Sequence, residues 1–400
     1  MNKTVKVMEG SMAVAHAIRS CQTDVIAAYP ISPQTHIVEY LSDFAADGSL
    51  HGKYVNVDSE FSASSFVYGS AAAGARSYTA SSSQGLLLMT EVLYNIAGHR
   101  LPLVMTGVNR MISPPISILT DHSDTMALRD CGFMQLHVES IQEAYDAHIQ
   151  AFKIAENHDV LLPMMVCMDG WVLTHAFEPV TLFDDKDIQD FLGGPIKSYQ
   201  KLDPSVPPVN YGVFTDEQEL MEYKHMMMEA HRRAIKVIDD TAEAYRETFG
   251  HYAGGVIDTY MTEDAEIILL AMGSVVGTIR CAVDELRAQG KKVGLVKIRS
   301  FRPFPAKEIV EAVADARAVG IIDKAISLGR GGILGMDVKE SFCNLPEKPA
   351  IKDYIAGIGG KELNREVIKQ IYEDLDRVTK FNVLDEEVQY VNLNDYCIVK

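Results

Sequence analysis

The chain has 400 residues, 47% of them hydrophobic and 23% charged, with 37 Lys+Arg against 55 Asp+Glu for a formal net charge of -18. That length exceeds what one hydrophobic core spans and points to two or three units, each with its own core. The acidic excess, with no basic stripe to reverse it locally, repels phosphate backbones and anionic membrane surfaces, which excludes nucleic acid and membranes as partners.

The N-terminal MNKTVKVMEGSMAVAHA runs directly into a folded element without a continuous apolar stretch, and no later segment reaches about 18 uncharged apolar residues, so a cytoplasmic protein is expected. From residue 24 a pattern repeats: a short apolar run, a polar or Gly-containing loop, then a helix-period segment. DVIAAYP (24–30), KYVNVDS (53–59), RSYTASS (76–82), LPLVMTGV (101–108) and LLPMMVCMDG (161–170) read as buried strands. PQTHIVEYLSDFAA, FSASSFVYGSAAAGA, QGLLLMTEVLYNIAG and QEAYDAHIQAFKIAEN between them carry apolar or small residues at helical spacing. Such alternation predicts an α/β fold, a parallel sheet with helices on its faces. Between about 171 and 210 the period fades, and GGPIKSYQKLDPSVPPVNYG reads as a linker or excursion loop.

DEQELMEYKHMMMEAHRRAIKVIDDTAEAYRET predicts a long charged helix, with Leu220, Met221, Met228 and Ile235 assigned to core packing rather than to a binding surface. A second α/β set follows in AEIILLAMGS, VVGTIRCAVDELRAQG, KKVGLVKIRS, AKEIVEAVADA, AVGIIDK and AIKDYIAG. GRGGILG (329–335) lacks the GxGxxG spacing and reads as a tight turn away from a strand-to-helix junction. The ending TKFNVLDEEVQYVNLNDYCIVK has no period and suits a tail packed on a partner. Six cysteines, Cys21, Cys131, Cys167, Cys281, Cys343 and Cys397, form no CxxC and read as small buried hydrophobes. Any iron–sulfur cluster must therefore belong to another chain.

In an open parallel sheet, ligands bind beyond the carboxyl ends of the strands. That rule selects Tyr29-Pro30-Ile31-Ser32-Pro33, Asp58-Ser59-Glu60, Ser81-Ser82-Ser83-Gln84-Gly85 and Asn109-Arg110. Pro30 and Pro33 fix φ and push Tyr29 and Ser32 toward extended geometry, while Pro33 suits the first turn of a helix that Ser32 caps. The stiffness serves either a sharp turn alone or the presentation of backbone carbonyls and the Ser32 hydroxyl to a ligand. Glu60 is either an ordinary loop acid or a partly desolvated carboxylate able to share a proton with a ring nitrogen. Arg110 offers a planar fork for a carboxylate, or a structural ion-pair partner.

YPISPQTHIVE, VDSEFSA, AGAR followed by TASSSQGL, NRMISPPISILTDHSD and KIRSFRPFP together resemble the α subunit of the multisubunit 2-oxoacid:ferredoxin oxidoreductases, most closely the pyruvate branch, from the first strand to about residue 360. The resemblance implies a pyrimidine-type thiamine-diphosphate domain over 1–255, including the linker and long helix of about 171–255. A transketolase C-terminal-like α/β domain with a C-terminal tail is implied over 256–400. It further implies a thiamine diphosphate enzyme in which a 2-oxoacid adds to the thiazolium carbon, loses carbon dioxide and passes electrons to iron–sulfur clusters, then to ferredoxin or another acceptor. Coenzyme A takes the acyl group. The β subunit carries the diphosphate and Mg2+ half of the site; β, γ and δ-type subunits are the implied partners, and the isolated chain is expected to be inactive. Here only Met168-Asp169-Gly170 approaches the GDG of a Mg2+ diphosphate site, with no Asn a helix later.

Position by position, Glu60 matches the glutamate that hydrogen-bonds the aminopyrimidine, Arg110 the arginine that clamps the substrate carboxylate, and Ser32 a position usually occupied by Thr at the substrate carbonyl. Tyr29, Pro30, Ile31, Ser83 and Gln84 would lie beside the cofactor. Met111, Pro114, Leu119 and Thr120 depart from the pyruvate branch and are expected to alter the lining near Arg110. A larger 2-oxoacid such as phenylglyoxylate is the alternative substrate; a scaffold paralogue without activity and a self-contained carboligase are the alternative functions.

Overall fold

The computed structural model describes residues 3–194, 201–212, 214–381 and 386–394. Part of the expected linker (195–200), two pieces of the expected tail (382–385 and 395–400) and Cys397 lie outside the described residues.

The first half runs β1 (Lys3–Glu9), α1 (Gly10–Ser20), β2 (Val25–Ala28), α2 (Thr35–Ala46), β3 (Lys53–Asn56), α3 (Glu60–Ala72), β4 (Ser77–Ser81) and α4 (Ser83–Gly98). It continues through β5 (Val104–Asn109), α5 (Ser123–Ala127), β6 (Met134–His137), α6 (Ile141–Ala155) and β7 (Met164–Asp169). Strand β8 (Phe177–Phe183) then pairs antiparallel with β1, and α7 (Asp185–Leu192) and α8 (Leu220–Phe249) follow. The second half comprises β9 (Ile257–Tyr260), β10 (Ile267–Ala271), α9 (Val275–Ala288), β11 (Val293–Ile298), β12 (Ser300–Arg302), α10 (Ala306–Ala312) and β13 (Ala318–Asp323). After these come β14 (Ile326–Ser327), β15 (Gly331–Gly332), α11 (Ile333–Ser341), β16 (Ala350–Ile355), α12 (Arg365–Phe381) and β17 (Val388–Tyr390).

Side-chain alternation along the strands supplies two apolar faces, as the period of two requires. Ile26 faces a core shared with α1, α6 and α8, while its neighbour Ala27 faces one shared with α3 and α4. The first sheet has the order β12-β6-β7-β5-β4-β2-β3 and is parallel except for β12; the second has the order β17-β16-β13-β10-β11-β9 and is parallel except for β9. In the first sheet β2 lies between β3 and β4, so the chain reverses its direction of winding there. This is the switch point at which loops diverge and leave a crevice.

The two sheets are held together by charge. Lys297 and Arg299, at the end of β11, converge on Glu143 in α6, with Lys297 Nζ at 2.6 Å and Arg299 Nε at 2.9 Å. All three are buried. Arg299 also donates to Gln150 Oε1 at 2.9 Å. The next residues then become β12 at the edge of the first sheet.

Several expectations are corrected. Leu220, Met221 and Met228 of α8 are exposed; its packed face is carried by Ala230, Ala234, Ile238, Tyr245 and Phe249, with Ile235 and Met227 partly buried. Met side chains reach around a helix surface, so their spacing alone does not define the core stripe. Cys21, Cys131 and Cys167 are buried, but Cys281 and Cys343 are exposed. The glycines of 329–335 lead directly into α11, so the strand-to-helix junction missing from the sequence pattern is there, built on the short β15. Among the described residues no helix is long and apolar enough to cross a membrane.

Candidate functional site

The loops at the carboxyl ends of β2, β3, β4 and β5 meet at the switch point. Ser59 caps α3 by accepting the Ser62 N–H at 3.1 Å, which places Glu60 in the first helical turn with its side chain buried. Glu60 reaches the first turn of α4. A Cβ added at Gly85 would lie 2.7 Å from Glu60 Oε1 and 2.4 Å from Ser81 Oγ, so only glycine leaves the carboxylate its space. Among the described residues nothing hydrogen-bonds to or pairs with the Glu60 carboxylate, and the buried Ser81 and Ser82 hydroxyls also lack partners. A buried hydroxyl without a partner is costly, so the Ser81 and Ser82 oxygens mark a place for a polar group supplied from outside, next to the Glu60 carboxylate.

The proline-stiffened loop forms one wall. Tyr29, Pro30 and Ser32 are exposed and Ile31 is half-buried, while Pro33 and Gln34 are buried. Ser32 does not cap a helix, as the sequence pattern had suggested: α2 begins only at Thr35, because Ile31 O accepts the Gln34 N–H at 2.8 Å in a turn that precedes it. The Gln34 side chain does the bracing instead, accepting from Ile31 N at 3.1 Å and donating to Ala80 O at 2.9 Å. Gly170 permits this approach, since a Cβ there would sit 2.6 Å from both Pro33 Cγ and Asn109 O.

Arg110 joins the second wall to the first. Its guanidinium donates to Ser32 O at 2.9 Å and to Ser117 O at 3.1 Å. Two of its five N–H donors are thereby used, and among the described residues no carboxylate pairs with it. Ser83 has positive φ and is buried; its hydroxyl donates to Met111 O at 2.6 Å, and Gln84 donates to Ser113. Both side chains are thus occupied in fastening the 111–113 loop to α4.

Two carboxylates that the sequence reading did not select organise this region. Asp124 accepts from Ser83 N at 2.9 Å, Arg110 N at 3.0 Å and Asn109 Nδ2 at 3.0 Å, joining the loops after β4 and β5. Burial pushes its carboxyl up to about 7, against the pull of these donors. Asp169, at the end of β7, is buried between the sheets with Lys324 Nζ at 2.9 Å, His122 Nε2 at 2.9 Å, Thr120 Oγ1 at 3.1 Å and Ser274 N at 2.8 Å. Burial opposes its ionisation, but Lys324, His122 and the hydrogen bonds hold it well below the usual carboxylate range. The Met168-Asp169-Gly170 stretch is therefore an anchor between the sheets. Thr120 belongs to that anchor, whereas Met111 and Leu119 abut Gly359 and Gly360 of the second half. The repeated carboxylates of DHSD were the available signal for Asp124.

Residues 16–246 match the family described as pyruvate flavodoxin/ferredoxin oxidoreductase, thiamine diphosphate-binding, and residues 265–368 match pyruvate:ferredoxin oxidoreductase core domain II. The chain is 45% identical over 395 residues to pyruvate synthase subunit PorA of Methanosarcina barkeri, covering 98% of each. It is 38% identical over 392 residues to ketoisovalerate oxidoreductase subunit VorA of Pyrococcus horikoshii, covering 98% of this chain and 99% of that one. In fold it is similar to a 2-oxoglutarate:ferredoxin oxidoreductase from Magnetococcus marinus, with a TM-score of 0.73 at 19% identity, covering 93% of this chain and 65% of that longer one.

Proposed function

The chain belongs to the family of α-type subunits of the pyruvate flavodoxin/ferredoxin oxidoreductases, and from that membership we propose that it supplies the aminopyrimidine half of a thiamine diphosphate site for oxidative decarboxylation of pyruvate. The observation that carries the proposal is the Glu60 carboxylate, without a protein partner among the described residues, beside the buried and unpartnered Ser81 and Ser82 hydroxyls in a space that Gly85 keeps open.

When bound, thiamine diphosphate supplies the electron sink that a 2-oxoacid needs to release carbon dioxide. Glu60 offers an acceptor for a ring N–H and a site where a proton can rest. Arg110, unpaired but held by two backbone carbonyls, presents its remaining donors to a substrate carboxylate at low entropic cost. Tyr29, Pro30, Ile31 and Ser32 form a rigid wall beside it, positioned by Gln34; Ser83 and Gln84 hold the facing loop at a fixed distance. In this reading residues 1–255 form the pyrimidine-type unit and 256–400 the transketolase C-terminal-like unit. A β-type subunit carries the Mg2+ and diphosphate half. Iron–sulfur clusters on γ and δ-type partners pass electrons to ferredoxin, and coenzyme A receives the acyl group.

The test is Glu60→Gln in the complex reconstituted with its partner subunits. Loss of a positioned proton carrier predicts a fall in kcat of about 10²–10⁴-fold with the complex still assembled. Activity close to wild type would instead mark the chain as a scaffold. The similarity to a ketoisovalerate enzyme subunit supports a second reading, the same reaction on a branched or larger 2-oxoacid. A substrate panel including pyruvate, ketoisovalerate and phenylglyoxylate decides between the two by kcat/KM.

A further inference from the structure

Behind the proline-stiffened loop, on the side of α1, three donors from distant parts of the chain converge. Glu9 ends β1 and is buried; His36 stands in the first turn of α2; His175 follows β7. His36 Nδ1 lies 2.7 Å from Glu9 Oε1, the two histidine rings are 4.6 Å apart between centroids, and one ligand atom from each of the three residues lies within 4.8 Å of the others. We propose that Glu9, His36 and His175 form a binding site for a divalent transition metal ion, with Zn2+ the ion their donors suit.

A His2Glu set with an open fourth position is a recognised zinc arrangement, and imidazole with carboxylate favours first-row transition ions over Ca2+ or Mg2+. The outer contacts are those expected of metal ligands, which are oriented by hydrogen bonds from their far side. Tyr40 OH donates to the second Glu9 oxygen at 2.7 Å, and Thr174 Oγ1 lies 2.7 Å from His175 Nδ1, leaving Nε2 as the nitrogen facing outward from that bond. The backbone around His175 is fixed to α1: Gly10 N donates to Ala176 O at 3.2 Å and Ser11 N to Thr174 O at 3.0 Å. Ligand bonds of about 2.0–2.2 Å place tetrahedral donors about 3.3 Å apart. The His36 side chain, 42% exposed, has the freedom to close that gap and leaves a path for the ion. An ion here would tie the helix that follows the Tyr29–Pro33 loop to the N-terminal strand.

The sole tryptophan of the chain, Trp171, stacks on His175 with ring centroids 4.2 Å apart and provides the readout. Metal-free intact chain is titrated with ZnCl2 while tryptophan emission and heat are followed. One-to-one saturation below about 100 µM Zn2+ with a change in emission is expected. His36→Ala keeps the Trp171–His175 stack yet should lose the emission change, and Glu9→Gln should weaken binding by at least about tenfold. Tyr40→Phe, which leaves all three ligands in place, should weaken binding to a smaller extent and covers the case in which a ligand variant fails to fold. No heat or emission response up to about 1 mM Zn2+ overturns the proposal, as does binding equal to wild type in both His36→Ala and Glu9→Gln.

Discussion

At position 85 a hydrogen atom stands where any other residue would place a methyl group against Glu60 Oε1 and Ser81 Oγ. On helix propensity alone Gly85→Ala would stabilise α4 by about 0.5–1 kcal/mol. The steric conflict predicts the opposite, a loss of about 1–3 kcal/mol in chemical denaturation. It also predicts a fall in kcat of about a hundredfold in the reconstituted complex, because the carboxylate must move to admit the methyl. Unchanged activity would show that the position of Glu60 is not critical. The placement of Glu60, Arg110 and the Tyr29–Pro33 loop at strand ends was legible from the strand pattern, whereas the roles expected of them came from the family resemblance. The parts played by Gln34 and Asp124 were not legible: DHSD displayed Asp124 as one of two acids, but contacts with Ala80, Ser83 and Arg110 on other loops leave no record in spacing along the chain. Ser32 was misread as a cap for a related reason: its type suits the role, but the turn closed by Gln34 N delays the helix.

The glycine run before α11 has its own purpose. Asp323 at the end of β13 and Asp353 in β16 face each other beneath it, accepting from Gly335 N at 3.0 Å and Gly332 N at 3.1 Å, and a Cβ at Gly332 would strike both carboxylates. Burial, and then the neighbouring Asp353, pushes Asp323 up to about 8; burial, against the pull of Lys339, pushes Asp353 up to about 6. Both folded-state values exceed the unfolded carboxylate range of about 3.9. The pair's contribution to stability is therefore fully present below about pH 4 and is lost as pH rises through about 6 and then about 8. Asp323→Asn removes one of the two charges. The decline in melting temperature from pH 5 to pH 9 should become shallower than in wild type, and an identical decline in scanning calorimetry would refute this account. The sequence displayed the glycines but not their reason, since the two acids lie in separate strands. The long helix α8 was legible in extent from its period, yet not in orientation, because its small residues, more than its methionines, face the core.

Across the whole molecule, the two α/β sets were legible from alternating strand and helix patterns, whereas their attachment was not. The basic residues of KIRSFRPFP gave no hint that Lys297 and Arg299 are buried against a helix some 150 residues earlier in the chain. Glu143→Ala would leave Arg299 buried without a carboxylate and Lys297 with Glu139 alone, and equilibrium denaturation should register a loss of about 3–5 kcal/mol; a loss below about 1 kcal/mol would mean that the cluster does not hold the sheets together. Strand β12 has a further consequence. It covers the free edge of β6, and an uncovered edge is a template for pairing with other chains. A nascent polypeptide emerging from the ribosome therefore completes its N-terminal sheet only after residue 302 has been made, and until then the border of β6 stands open to pairing.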